Sequence, residues 1–94
     1  MEDDFSFDWD EANIGHIGRH GVQPGEVMEV LANDPIDLNY EVVNGEDRWT
    51  SIGRTSRSRM LVVVWTMRGE SVRPITAFEA GKSLADEYIR HKGW

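Results

Sequence analysis

The sequence contains no cysteine among its 94 residues. This absence excludes disulfides, thiolate metal sites and cysteine nucleophiles, and it fits a reducing compartment. Long hydrophobic runs are also missing, because the longest, at residues 60–65, is far too short to cross a bilayer. The first residues are acidic, whereas a signal peptide begins with basic ones. A protein of the cytoplasm, not bound to a membrane, is therefore expected.

Several common motifs of catalysis and ligand binding are absent as well. Gly15, Gly18 and Gly21 fall in a predicted helix, without the lysine or the preceding strand of a phosphate-binding loop. Ser56 and Ser58 lack the Gly-x-Ser-x-Gly setting of a serine hydrolase. No basic amphipathic helix indicates binding to a membrane surface. The sequence thus offers no evidence for these three classes of site.

What the sequence does have is a separation of charge. Residues 1–47 contain thirteen Asp or Glu and one Arg, a net charge of −12, whereas residues 48–94 contain four acids and nine Lys or Arg, a net +5. Five arginines lie close together, at positions 54, 57, 59, 68 and 73. Guanidinium groups match the geometry of phosphate and carboxylate, so the basic half of the sequence predicts an anionic ligand or an acidic partner. The pI of about 4.8 argues against indiscriminate coating of nucleic acid.

Two helices are predicted in the acidic half. Before them, Phe5, Phe7 and Trp9 alternate with polar residues, as in a short strand or an extended arm. Asp10 is a suitable N-cap for a first helix that continues to His20, and Gly21 suits the left-handed position that ends it. Residues 24–32 form the second helix, with a proline at its first position.

Strands dominate the basic half. Residues 38–43 and 48–54 flank Asn44-Gly45, a strong hairpin signal. Residues 60–67 are apolar on both faces and predict a central strand. Pro74 cannot donate to a ladder, so the strand at 71–77 is expected at an edge or at a bulge. A final helix is predicted over residues 79–91. The fold class is therefore α+β, with N-terminal helices, an antiparallel sheet of about four strands and a C-terminal helix, in a single domain over residues 1–94 with a flexible tail at 1–4.

Three stretches resemble the BrnT-like toxins of bacterial type II toxin–antitoxin pairs. The first is Phe7-Asp8-Trp9-Asp10, followed by Arg19-His20-Gly21-Val22 at the end of the helix. The second is Gly53-Arg54, followed by the Val-rich strand at residues 61–66. The third is Arg73-Pro74 with Tyr88 further on. Together they cover roughly residues 5–90.

The resemblance implies a fold like that of the RelE-type ribonuclease toxins. It also implies cleavage of RNA and inhibition by a cognate antitoxin, through which alone the protein would contact DNA. The sequence departs from the family pattern at three positions. Phe78 stands where the family has Arg, Leu84 where it has Glu, and Asn13 where it has Lys.

Metal-independent cleavage of RNA requires stabilisation of the phosphate oxyanion and transfer of protons. Arg54 and Arg73 are the candidates for binding phosphate, with pairing to the acidic half as the alternative. His20 is the candidate for proton transfer, with capping of the helix end as the alternative. Tyr88 is expected to support the site, or else to anchor the last helix to the sheet.

Three further possibilities have weaker support. His16 and His20 are four residues apart, as metal ligands often are, but no third ligand has suitable spacing. Trp65 is expected in the core, and Trp49 in the core or stacked on an RNA base. No metal and no cofactor is predicted. The first interpretation is thus a toxin-like endoribonuclease, and the alternative is a catalytically silent protein-interaction module on the same fold.

Overall fold

The computed structural model describes residues 6–93. Within this range the elements follow in the order α1 Glu11–Gly18, α2 Pro24–Ala32, β1 Ile36–Val43, β2 Glu46–Arg54, β3 Met60–Arg68, β4 Ser71–Glu79 and α3 Lys82–Lys92. The strands form one antiparallel sheet in the order β1-β2-β3-β4. The predicted α+β class is therefore confirmed. None of the helices in residues 6–93 is long and apolar enough to cross a membrane.

The turn between β1 and β2 has the predicted hairpin geometry. Asn44 and Gly45 both have positive φ, 52° and 79°. Two consecutive residues of this kind form the type I′ turn, whose twist matches that of antiparallel strands. The turn therefore sets the register in which Val43 pairs with Glu46.

The first helix is shorter than predicted, since α1 ends at Gly18 and His20 lies in the following turn. The Val22 N–H donates to the Ile17 carbonyl at 3.1 Å, and the Gly21 N–H donates to the Gly18 carbonyl at 3.0 Å. This pair of bonds is a Schellman motif, and Gly21 supplies its left-handed residue with φ of 74°. The predicted role of Gly21 is confirmed, although the helix stops before His20.

The last helix also begins later than predicted, at Lys82 rather than at Glu79. Glu79 is still in β4, and the Ala80 N–H donates to the Met60 carbonyl at 2.9 Å. The strand ladder therefore holds the backbone up to residue 80, and Gly81 is the N-cap of α3.

Pro74 lies where its missing N–H is tolerated. β4 is the last strand of the sheet, and its register with β3 shifts between Val64 and Trp65. Val64 pairs with Thr76 and Trp65 with Pro74, so Ile75 is the extra residue of a bulge. Both parts of the prediction, the edge and the bulge, are confirmed.

Two apolar clusters pack on opposite faces of the sheet, because neighbouring residues of β3 alternate between them. Leu61 and Val63 belong to the cluster covered by α1 and α2, and Val62 to the cluster covered by α3. The buried members of the first are Ile17, Val22, Val27, Val30, Leu61, Val63 and Ala77. Those of the second are Ile52, Val62 and Tyr88. The central position predicted for β3 is confirmed.

The segment before α1 runs as an extended arm beside β4. Phe7 forms a parallel bridge with Val72, and the Asp8 N–H donates to the Val72 carbonyl at 2.9 Å. The Val72 N–H donates in turn to the Ser6 carbonyl at 2.8 Å. The arm therefore adds a short stretch of pairing to the β4 edge. Phe5 and the predicted tail at 1–4 lie outside the described residues.

Candidate functional site

The two arginines predicted to bind phosphate lie at opposite ends of the sheet. Arg54 ends β2 and pairs with Met60, whereas Arg73 pairs with Thr66. Met60 and Thr66 are six residues apart on β3, which corresponds to roughly 20 Å at the rise of an antiparallel strand. The structure therefore does not bring the backbones of these two arginines together.

Tyr88 is buried on the α3 side of the sheet. Its side chain is 2% exposed and packs with Ile52 and Val62. The Lys92 Nζ lies 5.8 Å from the centre of its ring. Arg54 is two residues from Ile52 on the same strand, so it projects from this same side. Of the four predicted residues, Arg54 and Tyr88 thus share one side of the sheet.

His20 contacts two other rings. Its ring centre is 5.7 Å from that of His16 and 6.2 Å from that of Phe78, which it meets edge-on. Phe78 is 37% exposed, so this contact lies at the surface. Within residues 6–93 no group of three or more side chains suited to a metal ion is found.

Arg73 is held by carboxylates from the acidic half. Its Nη2 lies 3.0 Å from Asp10 Oδ2, and its Nη1 lies 3.5 Å from Asp8 Oδ2. Only 14% of the Arg73 side chain is exposed. The backbone N–H of Asn13 and the guanidinium of Arg73 keep the pKa of Asp10 below its ordinary value of 3.8. Arg73 thus pairs with carboxylates of the acidic half, which was the alternative to its predicted binding of phosphate.

Asn13 organises the same region. Its side-chain oxygen accepts from the Asp10 N–H at 2.8 Å, and its Nδ2 donates to the carbonyls of Asp8 at 2.9 Å and of Pro74 at 3.0 Å. The side chain is 4% exposed. Asn13 therefore joins α1 to the arm and to β4.

A groove lies beside Arg73, between α1 and the sheet. It has a volume of about 340 Å³. Each of the last three strands contributes an arginine to it, Arg48, Arg68 and Arg73, and α1 contributes His16. Glu46 also lines the groove and pairs with Arg48, with Nε and Oε1 3.0 Å apart. Three guanidinium groups and one imidazole thus converge on one concave surface.

The groove was not predicted from the sequence. Arg68 was noted there only as one of the clustered arginines and His16 only as a possible metal ligand, and no role was predicted for Arg48. Arg48 lies near the start of β2 beside Trp49, and Trp49 pairs with Trp65 near the end of β3, so the register brings these two strand ends together. The position of His16 over this end depends on the packing of α1, for which the sequence carried no signal.

A second concave surface, of about 520 Å³, lies between α2 and the loop after β2. Arg59 lines it and contacts Glu26, with Nη1 2.8 Å from Oε1. Ser56 donates from its hydroxyl to Glu29 Oε2 at 2.7 Å. Burial raises the pKa of Glu26, but the Gln23 N–H and the Arg59 guanidinium outweigh it, and the pKa lies below 4.5. Both glutamates are thus engaged by the loop, and this surface is close to balanced in charge.

The tryptophans predicted as core or stacking residues form a row across the sheet. The rings of Trp49 and Trp65 are stacked with centres 4.7 Å apart, and Tyr40 lies 5.5 Å from Trp49. The Trp65 Nε1 donates to the Ser51 hydroxyl at 3.0 Å. Trp65 is packed against the first core cluster, as predicted.

A comparison with models of protein families found a match. The family model described as "Ribonuclease toxin, BrnT, of type II toxin-antitoxin system" matches residues 9–83. That range runs from the end of the arm to the first residues of α3. The chain therefore belongs to the BrnT family of ribonuclease toxins from type II toxin–antitoxin systems. A comparison with curated proteins found no match.

Proposed function

We propose that this protein is an endoribonuclease that cleaves RNA without a metal ion and is inhibited by a cognate antitoxin. The observation that carries the proposal is the groove in which Arg48, Arg68 and Arg73 converge with His16. Guanidinium groups bind phosphate through paired, charge-assisted hydrogen bonds. Histidine exchanges protons near neutral pH. The groove therefore combines the two kinds of group that metal-free cleavage of RNA requires.

The proposed reaction uses the RNA 2′-hydroxyl as the nucleophile. His16 accepts its proton, the 2′-oxygen attacks phosphorus, and the bond from phosphorus to the 5′-oxygen breaks. Arg68 and Arg73 stabilise the negative charge that develops on the phosphate oxygens. The products are a 2′,3′-cyclic phosphate and a 5′-hydroxyl. His20, whose ring contacts that of His16, assists the proton transfer by donating a proton to the leaving 5′-oxygen.

The other two predicted residues have separate roles in this proposal. Arg54 lies at the far end of the sheet, where it contacts a different phosphate of the bound RNA strand. Tyr88 supports the site indirectly, because its buried ring holds α3 against the sheet. The antitoxin is the partner that contacts DNA, and the reaction takes place in the cytoplasm.

Purified protein and end-labelled RNA test the proposal directly. We expect cleavage to continue in EDTA and to yield the cyclic phosphate end. Arg68→Ala with Arg73→Ala should slow cleavage by about 10²–10³-fold for each phosphate contact that is lost. Arg90→Ala removes one guanidinium group from an exposed position on α3 and should leave the rate unchanged. Cleavage that stops in EDTA and returns with a divalent ion would overturn the metal-free reaction.

Growth and co-purification test the biological role. Induced expression should slow bacterial growth, and Arg54→Ala with Arg73→Ala should relieve the effect. The protein encoded beside this one should co-purify with it and abolish cleavage of RNA.

A second candidate is a catalytically silent interaction module on the same fold. It is favoured by the engagement of Arg73 with two carboxylates, and by Phe78 and Leu84 in place of the family's Arg and Glu. Intact RNA at high protein concentration, normal growth on overexpression and a protein bound at the arginine groove would together support this module.

A further inference from the structure

The proposed phosphate contacts are occupied by a carboxylate of the protein itself. Asp8 Oδ2 lies 3.5 Å from Arg73 Nη1 and 3.7 Å from Arg68 Nη1. One carboxylate thus faces the two guanidinium groups at the distance range of an ion pair. A phosphate oxygen bound by the same two arginines would have to take its place.

The backbone of Asp8 is fixed on both sides. Its N–H donates to the Val72 carbonyl at 2.9 Å, and its carbonyl accepts from Asn13 Nδ2 at 2.9 Å. The arm is held further by the contact between the Ser6 and Ser71 hydroxyls at 2.8 Å. Displacing the carboxylate therefore needs only a rotation about its side-chain bonds, and the arm stays in place.

The carboxylate is held weakly enough to be displaced. Its distances to the two arginines exceed the 2.7–2.9 Å or so of a strong charge-assisted bond. The Arg68 side chain is 59% exposed, and ion pairs at such exposure are weakened by solvent and salt. A phosphodiester brings two free oxygens and also releases counterions from the RNA, which favours exchange.

Asp10 differs from Asp8 in this respect. Its Oδ1 accepts from the Asn13 N–H at 3.1 Å and caps α1, while its Oδ2 contacts Arg73 at 3.0 Å. Moving this carboxylate would leave the helix without its cap. Asp10 is therefore a positioning residue that orients Arg73, whereas the Asp8 carboxylate can leave the arginines without uncapping α1.

We infer that Arg68 and Arg73 form a phosphodiester site that the Asp8 carboxylate occupies in the free protein, and that RNA binds there by displacing it. The inference rests on the proposed function and deepens it, because it identifies a built-in competitor for the same site. The consequence is lower affinity for isolated phosphates than for an RNA strand, which binds through several contacts at once.

Asp8→Asn is the direct test, because it keeps the size of the side chain and both backbone anchors. The matched control is Asp86→Asn, which removes the same charge from an ion pair with Lys82 on α3. Binding is measured by fluorescence anisotropy with a labelled single-stranded RNA of mixed sequence. We expect Asp8→Asn to bind about two- to fivefold more tightly than the wild type, as for the loss of one competing surface charge, and Asp86→Asn to bind like the wild type. Equal gains in both variants, or no gain in Asp8→Asn, would overturn the inference.

A second probe separates this inference from the proposed function. The guanidinium N–H signals of Arg68 and Arg73 are followed by NMR during titration with inorganic phosphate. The signals should move at several-fold lower phosphate concentration in Asp8→Asn than in the wild type. If this holds while RNA binds but is not cleaved, the phosphodiester site stands and the ribonuclease proposal fails. If the two phosphate titrations coincide, the Asp8 carboxylate does not compete for the site, whether or not RNA is cleaved.

Discussion

The amide of Asn13 donates a hydrogen bond to the carbonyl of Pro74 at 3.0 Å, across 61 residues of sequence. The same amide nitrogen bonds the Asp8 carbonyl, and the side-chain oxygen bonds the Asp10 N–H. One buried side chain thus connects the arm, the start of α1 and the bulged part of β4. Because these three segments carry Asp8, Asp10 and Arg73, Asn13 also fixes the geometry of the proposed phosphate site.

Asn13→Ala should lower the free energy of unfolding by about 2–3 kcal/mol, since it removes three hydrogen bonds, to the carbonyls of Asp8 and Pro74 and from the Asp10 N–H. Urea denaturation measures this loss. Asn39→Ala, on exposed β1, is the control and should change stability by about 0.5 kcal/mol or less. Equal effects of the two substitutions would show that the Asn13 network contributes nothing specific.

Gly53 lies close beneath Val30 of α2. A Cβ at this position would lie 2.9 Å from Val30 Cγ1 and 3.2 Å from the Val30 carbonyl oxygen. We expect Gly53→Ala to destabilise the protein by about 1–3 kcal/mol, because the buried helix must move to admit the methyl group. Thermal unfolding is the measurement.

The control for this substitution is Gly25→Ala, in the first turn of α2. A Cβ there meets no atom within 4 Å, and alanine suits a helix better than glycine. Stability should therefore stay the same or rise by up to about 1 kcal/mol. A Gly53→Ala protein as stable as Gly25→Ala would show that α2 is not packed closely against β2.

The two tyrosines provide a matched pair for packing. Tyr88 is 2% exposed, whereas Tyr40 is 53% exposed. Tyr88→Ala should cost about 3–5 kcal/mol, the range for removing a buried aromatic ring. Tyr40→Ala should cost about 1 kcal/mol, since it loses the tilted ring contact with Trp49 and an exposed hydrogen bond to Asp47. A small loss for Tyr88→Ala in urea denaturation would contradict the role of α3 as a cover of the sheet.

The contacts of Glu26 predict that the free energy of unfolding depends on pH. Its pKa in the folded protein is lowered, since the Gln23 N–H and Arg59 favour the carboxylate more than burial disfavours it. A group of this kind stabilises the fold above its unfolded pKa and loses that contribution as the pH falls through the folded pKa. Stability should therefore decline below about pH 4.5, and Glu26→Gln should make this decline shallower.

Chemical denaturation at a series of pH values measures this dependence. Glu70→Gln, in the exposed turn after β3, is the control and should keep the slope of the wild type. Identical slopes for wild type and Glu26→Gln would rule out the stabilising contact with Arg59.

Local sequence signals determined most of the secondary structure. Asn44 and Gly45 can both adopt the positive φ that a tight hairpin requires. Pro74 has no N–H to donate, so it is not tolerated in a regular central strand. The run at residues 60–67 is apolar on both faces, which indicated a central strand, and residues 61–63 are buried in it. These features act within a few residues, so no knowledge of distant contacts was needed. The two helix boundaries that differed, at His20 and at Glu79, are set by a Schellman motif and by a ladder bond to Met60.

Only the tertiary structure decided which charges meet. The acidic and basic residues lie mostly in different halves of the sequence, and Arg54 and Arg73 were predicted from it to bind phosphate. The resemblance to the BrnT family was confirmed by the match over residues 9–83. The sequence did not show that β3 keeps these two arginines apart, or that the groove gathers Arg48, Arg68 and His16 around Arg73. Side chains from the arm, α1 and three strands meet there, and their spacing depends on how helix and sheet pack. Packing of this kind is a property of the assembled core, and residue patterns along the chain do not encode it locally.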